Sequence, residues 1–267
     1  MQLSIIIINY NTFQLTCNCI ESVIKFTQDI DYEIILVDNA STECDPNLFL
    51  EKFPSIKLIA SKENTGFTGG NNLGVKIAKG EYILLLNSDT WLEENSIKKS
   101  YDKAKAISNL GALSCGLKGP NGDLQPNCFN HYNWWKFLLE KFRIVKIMPK
   151  SLLEKIYLSF HFKYEKSTFC DGVIGAFYLF PKSNLLLFED QLLPNNFFMY
   201  YEEMDWSMCF KEKGLKCYSF IDTFIIHIGG ASSPSKELSY KVKDRYLKLS
   251  LLHNKKIDYL IFKIFMK

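Results

Sequence analysis

Three times in its first ninety residues the chain strings aliphatic side chains together and then breaks into polar ones: SIIIINYN at Ser4–Asn11, EIILVDNAS at Glu33–Ser41 and YILLLNSDT at Tyr82–Thr90. Unbroken apolar runs of this length suit inner strands of a parallel sheet covered on both faces, because a strand with one wet face alternates. Helical patterns lie between the runs. Thr12 can cap a helix to about Thr27, with Leu15, Ile20, Val23 and Ile24 facing inward. Asp45-Pro46 reads as a cap followed by proline at the first helical position, and Ile56–Ala60 as a further strand. After the loop ENTGFTGGNN, Glu63–Asn72, a helix runs until Gly80 terminates it. Strands and helices alternating at short spacing pair in parallel through right-handed crossovers, so the expected fold is α/β with a doubly wound, mostly parallel sheet.

In such a sheet the loops after the strands open on one edge, where α/β proteins hold ligands. Here those loops are Asn9-Tyr10-Asn11, Asp38-Asn39 and Asn87-Ser88-Asp89. Tyr10 could stack on a base or pack on a helix at the rim. Asp38 could accept a hydrogen bond from a pyrimidine imide or shape a turn. Asp89 suits a hard divalent cation bridging to phosphate oxygens, or, with Asn87 and Ser88, caps a following helix. The glycines Gly66, Gly69 and Gly70 offer backbone amides at a helix amino terminus, which favours a phosphate or hydroxyl-rich group. The loop is not a dinucleotide fingerprint, which would follow the first strand as GxGxxG. Nor is it a P-loop, since no Gly-Lys-Ser/Thr follows.

Composition removes other classes. The 267 residues are 47% hydrophobic and 23% charged, a globular chain large enough for one domain with an insert. A net charge of +3 argues against nucleic acid and leaves small anionic substrates open. The eight cysteines form no CxxC, and Cys17 with Cys19 have no matching second pair, so they read as reduced core thiols rather than zinc ligands. MQLSIIIINYN has no basic leader or cleavage site, and no segment is long enough to span a bilayer, which gives a cytoplasmic reading. The insert His131–Lys166 mixes aromatics with lysines and arginine, and the tail Lys236–Lys267 is basic and amphipathic. The expectation is peripheral contact with the inner face of the cell membrane, the alternative for the insert being packing on the main domain.

The first strand ending in NYN, VDNAS at Val37–Ser41, NTGFTGGNN at Asn64–Asn72, LLLNSDT at Leu84–Thr90, DGVIGAFYLFPK at Asp171–Lys182 and FFMYYEEMDWSMCFKEKG at Phe197–Gly214 come in a definite order, followed by His227-Ile228-Gly229-Gly230. Together, over roughly Leu3–Ser232, they resemble the family 2 glycosyltransferases of the GT-A fold. The closer likeness is to a rhamnosyltransferase-like subgroup in which the metal-binding DXD reads Asn-x-Asp-Thr. The resemblance implies a GT-A domain over 1–235 with a nucleotide-binding half and an acceptor half, a variable insert at 131–166 and a helical tail at 236–267. It implies inverting transfer of a sugar from a UDP or dTDP donor, dTDP-rhamnose among them, to a saccharide or lipid-linked acceptor of a bacterial surface polysaccharide.

It also implies residue roles. Asp89 would hold Mg²⁺ or Mn²⁺ with His227 completing the shell, and Asn87, standing where the family has an acid, would contact ribose or donor. The donor site would draw on Asn9, Tyr10, Asn11, Asp38, Asn64, Gly66, Gly70, Asn71, Asn87, Ser88 and Asp89. Glu203 falls on the family's catalytic base, with Glu202 as its rival, while Asp205, Trp206 and Gly175 would face the acceptor. From the residues alone the acidic cluster could instead be a solvated helix start, and Trp206 a core residue. Two other classes stay open. A nucleotidyltransferase should carry a glycine- and arginine-rich loop where this chain has NYNTFQ. A non-catalytic sugar-nucleotide-binding module is allowed by the departures at Asn87 and Glu203.

Overall fold

A computed structural model describes residues 1–157, 166–229 and 242–266. Gly230, Ser232, the expected boundary at 235 and the first residues of the tail lie outside the described residues. The first half alternates as its hydrophobic runs require: β1 (Leu3–Asn9), α1 (Phe13–Phe26), β2 (Tyr32–Asp38), α2 (Leu48–Lys52), β3 (Lys57–Ala60), α3 (Gly66–Ile77) and β4 (Tyr82–Asn87). There follow β5 (Thr90–Trp91), α4 (Ser96–Lys105), β6 (Leu110–Lys118), β7 (Leu124–Gln125), β8 (Cys128–Phe129), α5 (Trp134–Lys141) and α6 (Lys150–Ile156). The remainder is β9 (Thr168–Cys170), β10 (Gly172–Val173), β11 (Phe177–Pro181), α7 (Glu202–Glu212), β12 (Lys216–His227), α8 (Val242–Leu252) and α9 (Lys256–Phe265).

The main sheet runs in the order β3-β2-β1-β4-β11-β6-β12-β5. Strands β3, β2, β1 and β4 are parallel, β11 runs against both β4 and β6, and β12 is again parallel to β6. Both faces are covered, as the unbroken runs demand. Leu3, Ile5, Ile7 and Leu84 pack with Cys17, Ile20 and Val23 of α1 on one side, and Ile6, Ile35, Val37 and Leu85 with Val75 of α3 and Phe210 of α7 on the other. All eight cysteines are free, five of them buried.

Some local expectations fail. Ile24 faces outward on α1, and inward-facing Thr16, Cys17 and Cys19 fill that side instead. Asp45-Pro46 begins a turn, with Asp45 Oδ1 accepting from Asn47 N at 2.9 Å, and the helix starts only at Leu48. Gly80 does not end α3, which stops at Ile77. It passes against the β1 backbone, where an added Cβ would lie 2.4 Å from Ser4 N. Among the described residues, the insert's Tyr132 and Phe137 sit against Phe262 of the tail, and Tyr132 also against Tyr246.

Candidate active site

The carboxyl ends of β1, β2 and β4 are in register, Asn9 opposite Asp38 and Ile8 opposite Asn87. They open into a cleft of about 280 Å³ that the start of α7 and the end of β12 close from the other side. Tyr10, Asn64, Gly66, Asn87, Ser88, Asp89, Glu202, Glu203 and His227 line it, with Asn39, Phe67, Met199 and Tyr200.

One corner is built around Asp89. Its Oδ2 accepts from Gly229 N at 3.2 Å, and its Oδ1 lies 3.6 Å from His227 Nε2, beyond hydrogen-bond length. Gln125 decides what that nitrogen carries. The Gln125 Nε2 amide donates to the His227 carbonyl at 3.0 Å, so its Oε1, 2.9 Å from Nδ1, must accept the ring proton there. Burial also lowers the His227 pKa, the Asp89 carboxylate opposing it. The neutral ring therefore presents the Nε2 lone pair towards a carboxylate oxygen, two acceptors facing each other with no proton between them. A divalent cation satisfies such a pair, and the amide behind the histidine is the kind of partner that orients metal-ligating imidazoles.

A second corner carries the carboxylates of α7. Tyr200 and Tyr201 precede the helix with φ of 66° and 77°. Bulky residues rarely adopt this left-handed region, and the turn swings both glutamates into the cleft. Glu203 Oε1 accepts from Gly175 N at 3.0 Å. A methyl group at Gly175 would stand 2.5 Å from that oxygen, so only glycine lets the carboxylate approach. Glu202 is buried, and its Oε1 has no hydrogen-bond partner among the described residues. Burial pushes its carboxyl up to about 8, with Glu203 adding to the rise, and burial raises Glu203 as well. The pair thus keeps a proton at neutral pH that two solvated glutamates would not.

The glycine-rich loop is tied down by Asn39. Its Nδ2 donates to Asn64 Oδ1 at 3.0 Å and to Gly66 O at 3.1 Å, and its Oδ1 accepts from Thr65 N at 3.0 Å. Gly66 has φ +74°, and a Cβ there would stand 2.3 Å from Phe198 O, the carbonyl that accepts from Phe67 N.

With this geometry in place, the sequence profile described as glycosyl transferase family 2 matches residues 4–150. The chain belongs to that family. Among curated relatives it is 36% identical over 128 residues to a poly(ribitol-phosphate) beta-glucosyltransferase of Bacillus spizizenii, a match covering 46% of this chain and 20% of that protein. It is 32% identical over 108 residues to glycosyltransferase GlyG of Streptococcus pneumoniae, covering 39% of this chain and 35% of that one. These matches span about a fifth to a third of the relatives' own lengths. Among solved structures, S. aureus TarS 1–349 superposes with a TM-score of 0.61 at 16% identity, covering all of this chain and 73% of the other. The mannosyltransferase PcManGT from Pyrobaculum calidifontis, in complex with GDP-Man and Mn²⁺, gives 0.59 at 16% identity, covering 96% of this chain and 63% of that one. The fold is GT-A.

Within this family 2 site the anticipated residues divide. Tyr10, Asn64, Gly66, Asn87, Ser88, Asp89, Glu202, Glu203 and His227 meet at one cleft. Asn9 and Asp38 do not line it. Asn9 is buried, donating to Asp38 Oδ2 at 2.7 Å and to Ser41 Oγ at 2.9 Å, while Asp38 Oδ1 accepts from Ser41 N, so the pair braces the two strand ends. Asn11 braces the same turn through Thr42 N. Asn71 donates to Phe67 O inside α3, and Gly70 packs under Ile8 and Asn39.

On the acceptor side two expectations are corrected. Trp206 does not line the cleft: it is fully buried, its ring edge-on to Tyr178 and its N–H donating to Pro194 O. Asp205 points away, bonded to His253 Nε2 at 2.8 Å and Asn196 Nδ2 at 2.8 Å. Gly175 donates its N–H to Glu203, between the cleft-lining residues Ile174 and Ala176. Gln125 is the residue of this cleft that the motifs did not single out, whereas Asn39 stood in the Asp38-Asn39 loop with its tie to the glycine-rich loop unforeseen. Gln125 lies in the two-residue strand β7, 102 positions from His227, with no local pattern to flag it.

Proposed function

We propose that this chain is a metal-dependent inverting glycosyltransferase that moves a sugar from a nucleotide-diphosphate donor to a saccharide or lipid-linked acceptor of a bacterial surface polymer. The carrying observation is that one cleft holds both the facing acceptors of Asp89 and His227 and the carboxylates of Glu202 and Glu203. The named relatives, one acting on poly(ribitol-phosphate) and one bound to GDP-Man and Mn²⁺, support the polymer and nucleotide-sugar parts of the reading.

The residues fit a divalent cation, and an imidazole nitrogen beside a carboxylate oxygen favours Mn²⁺ over Mg²⁺, which prefers all-oxygen shells. When bound, the cation would neutralise charge on the departing diphosphate. The chain's own groups do the rest. Tyr10 and Asn64 flank the nucleotide space, and Asn87 and Ser88 offer polar contacts next to Asp89. Glu203, its Oε1 fixed by Gly175 N–H, keeps Oε2 for the acceptor hydroxyl. It takes that proton as the oxygen attacks the anomeric carbon and the bond from that carbon to the diphosphate breaks. Glu202, holding its proton at neutral pH, donates a hydrogen bond to an acceptor hydroxyl instead of competing for it.

The test is a screen of UDP-, dTDP- and GDP-sugars, dTDP-rhamnose included, for donor binding and for turnover with Mn²⁺, Mg²⁺ or chelator. Turnover that needs the cation supports the proposal. Donor binding without turnover of any donor or acceptor would return the chain to a non-catalytic binding module.

A further inference from the structure

Helix α9 buries side chains on one side and exposes an apolar stripe on the other. Asp258 and Phe262 face the protein and are buried: Asp258 Oδ1 accepts from Trp134 N at 2.9 Å, and Phe262 sits among Tyr132, Phe137 and Tyr246. On the other side Ile257, Leu260 and Ile264 are spaced three and four apart, which aligns them in one stripe. They are 61%, 55% and 59% exposed. Lys256 and Lys263 border the stripe on one flank. Helix α5 is fastened beside α9, Lys141 Nζ donating to Phe265 O at 2.8 Å, and the turn that follows it leaves Phe142 64% and Ile147 84% exposed with Arg143 and Lys146 between them. Single exposed apolar residues are ordinary, but a stripe of them rimmed by charge marks a contact surface.

The charge identifies the partner. Residues 131–157 and 242–266 together carry twelve Lys/Arg against four Asp/Glu, while the whole chain is only +3, so the rest of the molecule is net acidic. Two copies meeting through this face would oppose like charges. We propose that α9 and the adjoining 142–147 turn dock on an anionic lipid bilayer, the stripe entering the boundary between headgroups and acyl chains and the lysines meeting lipid phosphates. The contact is interfacial, since no helix among the described residues is long and apolar enough to cross a membrane. Helix α8 and the turn joining it to α9 also grip the start of α7, through Tyr246 and His253 respectively, so docking bears on the element that carries Glu202 and Glu203. The inference goes beyond the transferase reading and stands without it.

The experiment is co-sedimentation of the full chain with phosphatidylcholine vesicles, with and without phosphatidylglycerol, at low and high salt. Binding is expected only with phosphatidylglycerol, weakening as salt screens it and by about fivefold for each of Lys256 and Lys263 replaced by glutamine. Leu260→Ser with Ile264→Ser should weaken it by roughly tenfold or more while leaving melting temperature and donor turnover unchanged, because both side chains already face outward. Equal binding to both vesicle types, or an unaffected double variant, overturns the proposal. So does a concentration-dependent dimer that the double variant dissolves without any vesicle binding, which would give the face to a second copy.

Discussion

At the scale of single residues, the behaviour of the cleft turns on where its protons sit. Glu203→Gln keeps shape and the bond from Gly175 N–H but cannot take a proton, so transfer should fall by about 10²-fold or more with donor affinity unchanged. A loss confined to donor affinity would remove Glu203 from the base role. Gly175→Ala should mimic it at intact fold, because the methyl displaces the carboxylate. In Glu202→Gln the effect on rate should be milder and its signature a change in the pH profile. Glutamine has no carboxyl proton to lose, so the alkaline limb set by Glu202 giving up its proton at about 8 should disappear, while the acidic limb set by Glu203 stays. An alkaline limb that persists in the variant would give that limb to another group. Asp89→Asn should abolish cation-dependent turnover while Asn87→Ala only weakens donor binding, and undiminished turnover in chelator would remove the metal altogether. Asp89 was legible because it ends an apolar run at a strand's carboxyl edge. Gln125 was not, since its partner lies 102 positions along the chain and its residue type is one that local pattern leaves silent, and Gly175 was placed on the acceptor side by resemblance with its bond to Glu203 unforeseen.

Among elements, the strands were the readable part. Unbroken runs of isoleucine and leucine can only be buried on both sides, and β1, β2 and β4 run within a residue or two of the expected limits. Helix faces were less legible where thiols and threonines substitute for aliphatics, which is why α1 turned Ile24 outward. The contact least accessible to sequence joins α8 to α7. His253 lies between Asp205 and Glu212, 2.8 Å from each, and although burial alone would lower its pKa, the hydrogen bonds and charges of the two carboxylates raise it. A histidine whose folded pKa exceeds its unfolded one contributes stability that is complete below about 6.5 and is lost as pH rises through the folded value. The melting temperature of the native chain should therefore exceed that of His253→Gln most at mildly acid pH, and the gap should close on the alkaline side. A gap that is constant with pH would show that the imidazole is bound as a neutral group.

For the whole molecule, the insert and the tail are one structural unit assembled from segments that composition kept separate. Phe262 is the hinge of that unit, fully buried against Tyr132, Phe137 and Tyr246. Phe262→Ala should cost about 3–5 kcal/mol, the usual penalty for emptying a buried aromatic site, and lower the melting temperature by roughly 10 °C. A shift within about one degree would mean that the hairpin is held by other contacts. The paired left-handed tyrosines before α7 carry the longest reach. Non-glycine residues in that region cost of order 1–3 kcal/mol each and persist only where neighbours over-determine them. Those neighbours are in α8: Tyr246 meets the Tyr201 ring edge-on, and Arg245 lies over both tyrosines. The aim of Glu202 and Glu203 is thus written downstream of the motifs that build the cleft. A relative that kept every cleft-lining residue but changed its final helices would hold the same parts out of register, and its activity could not be inferred from the cleft alone.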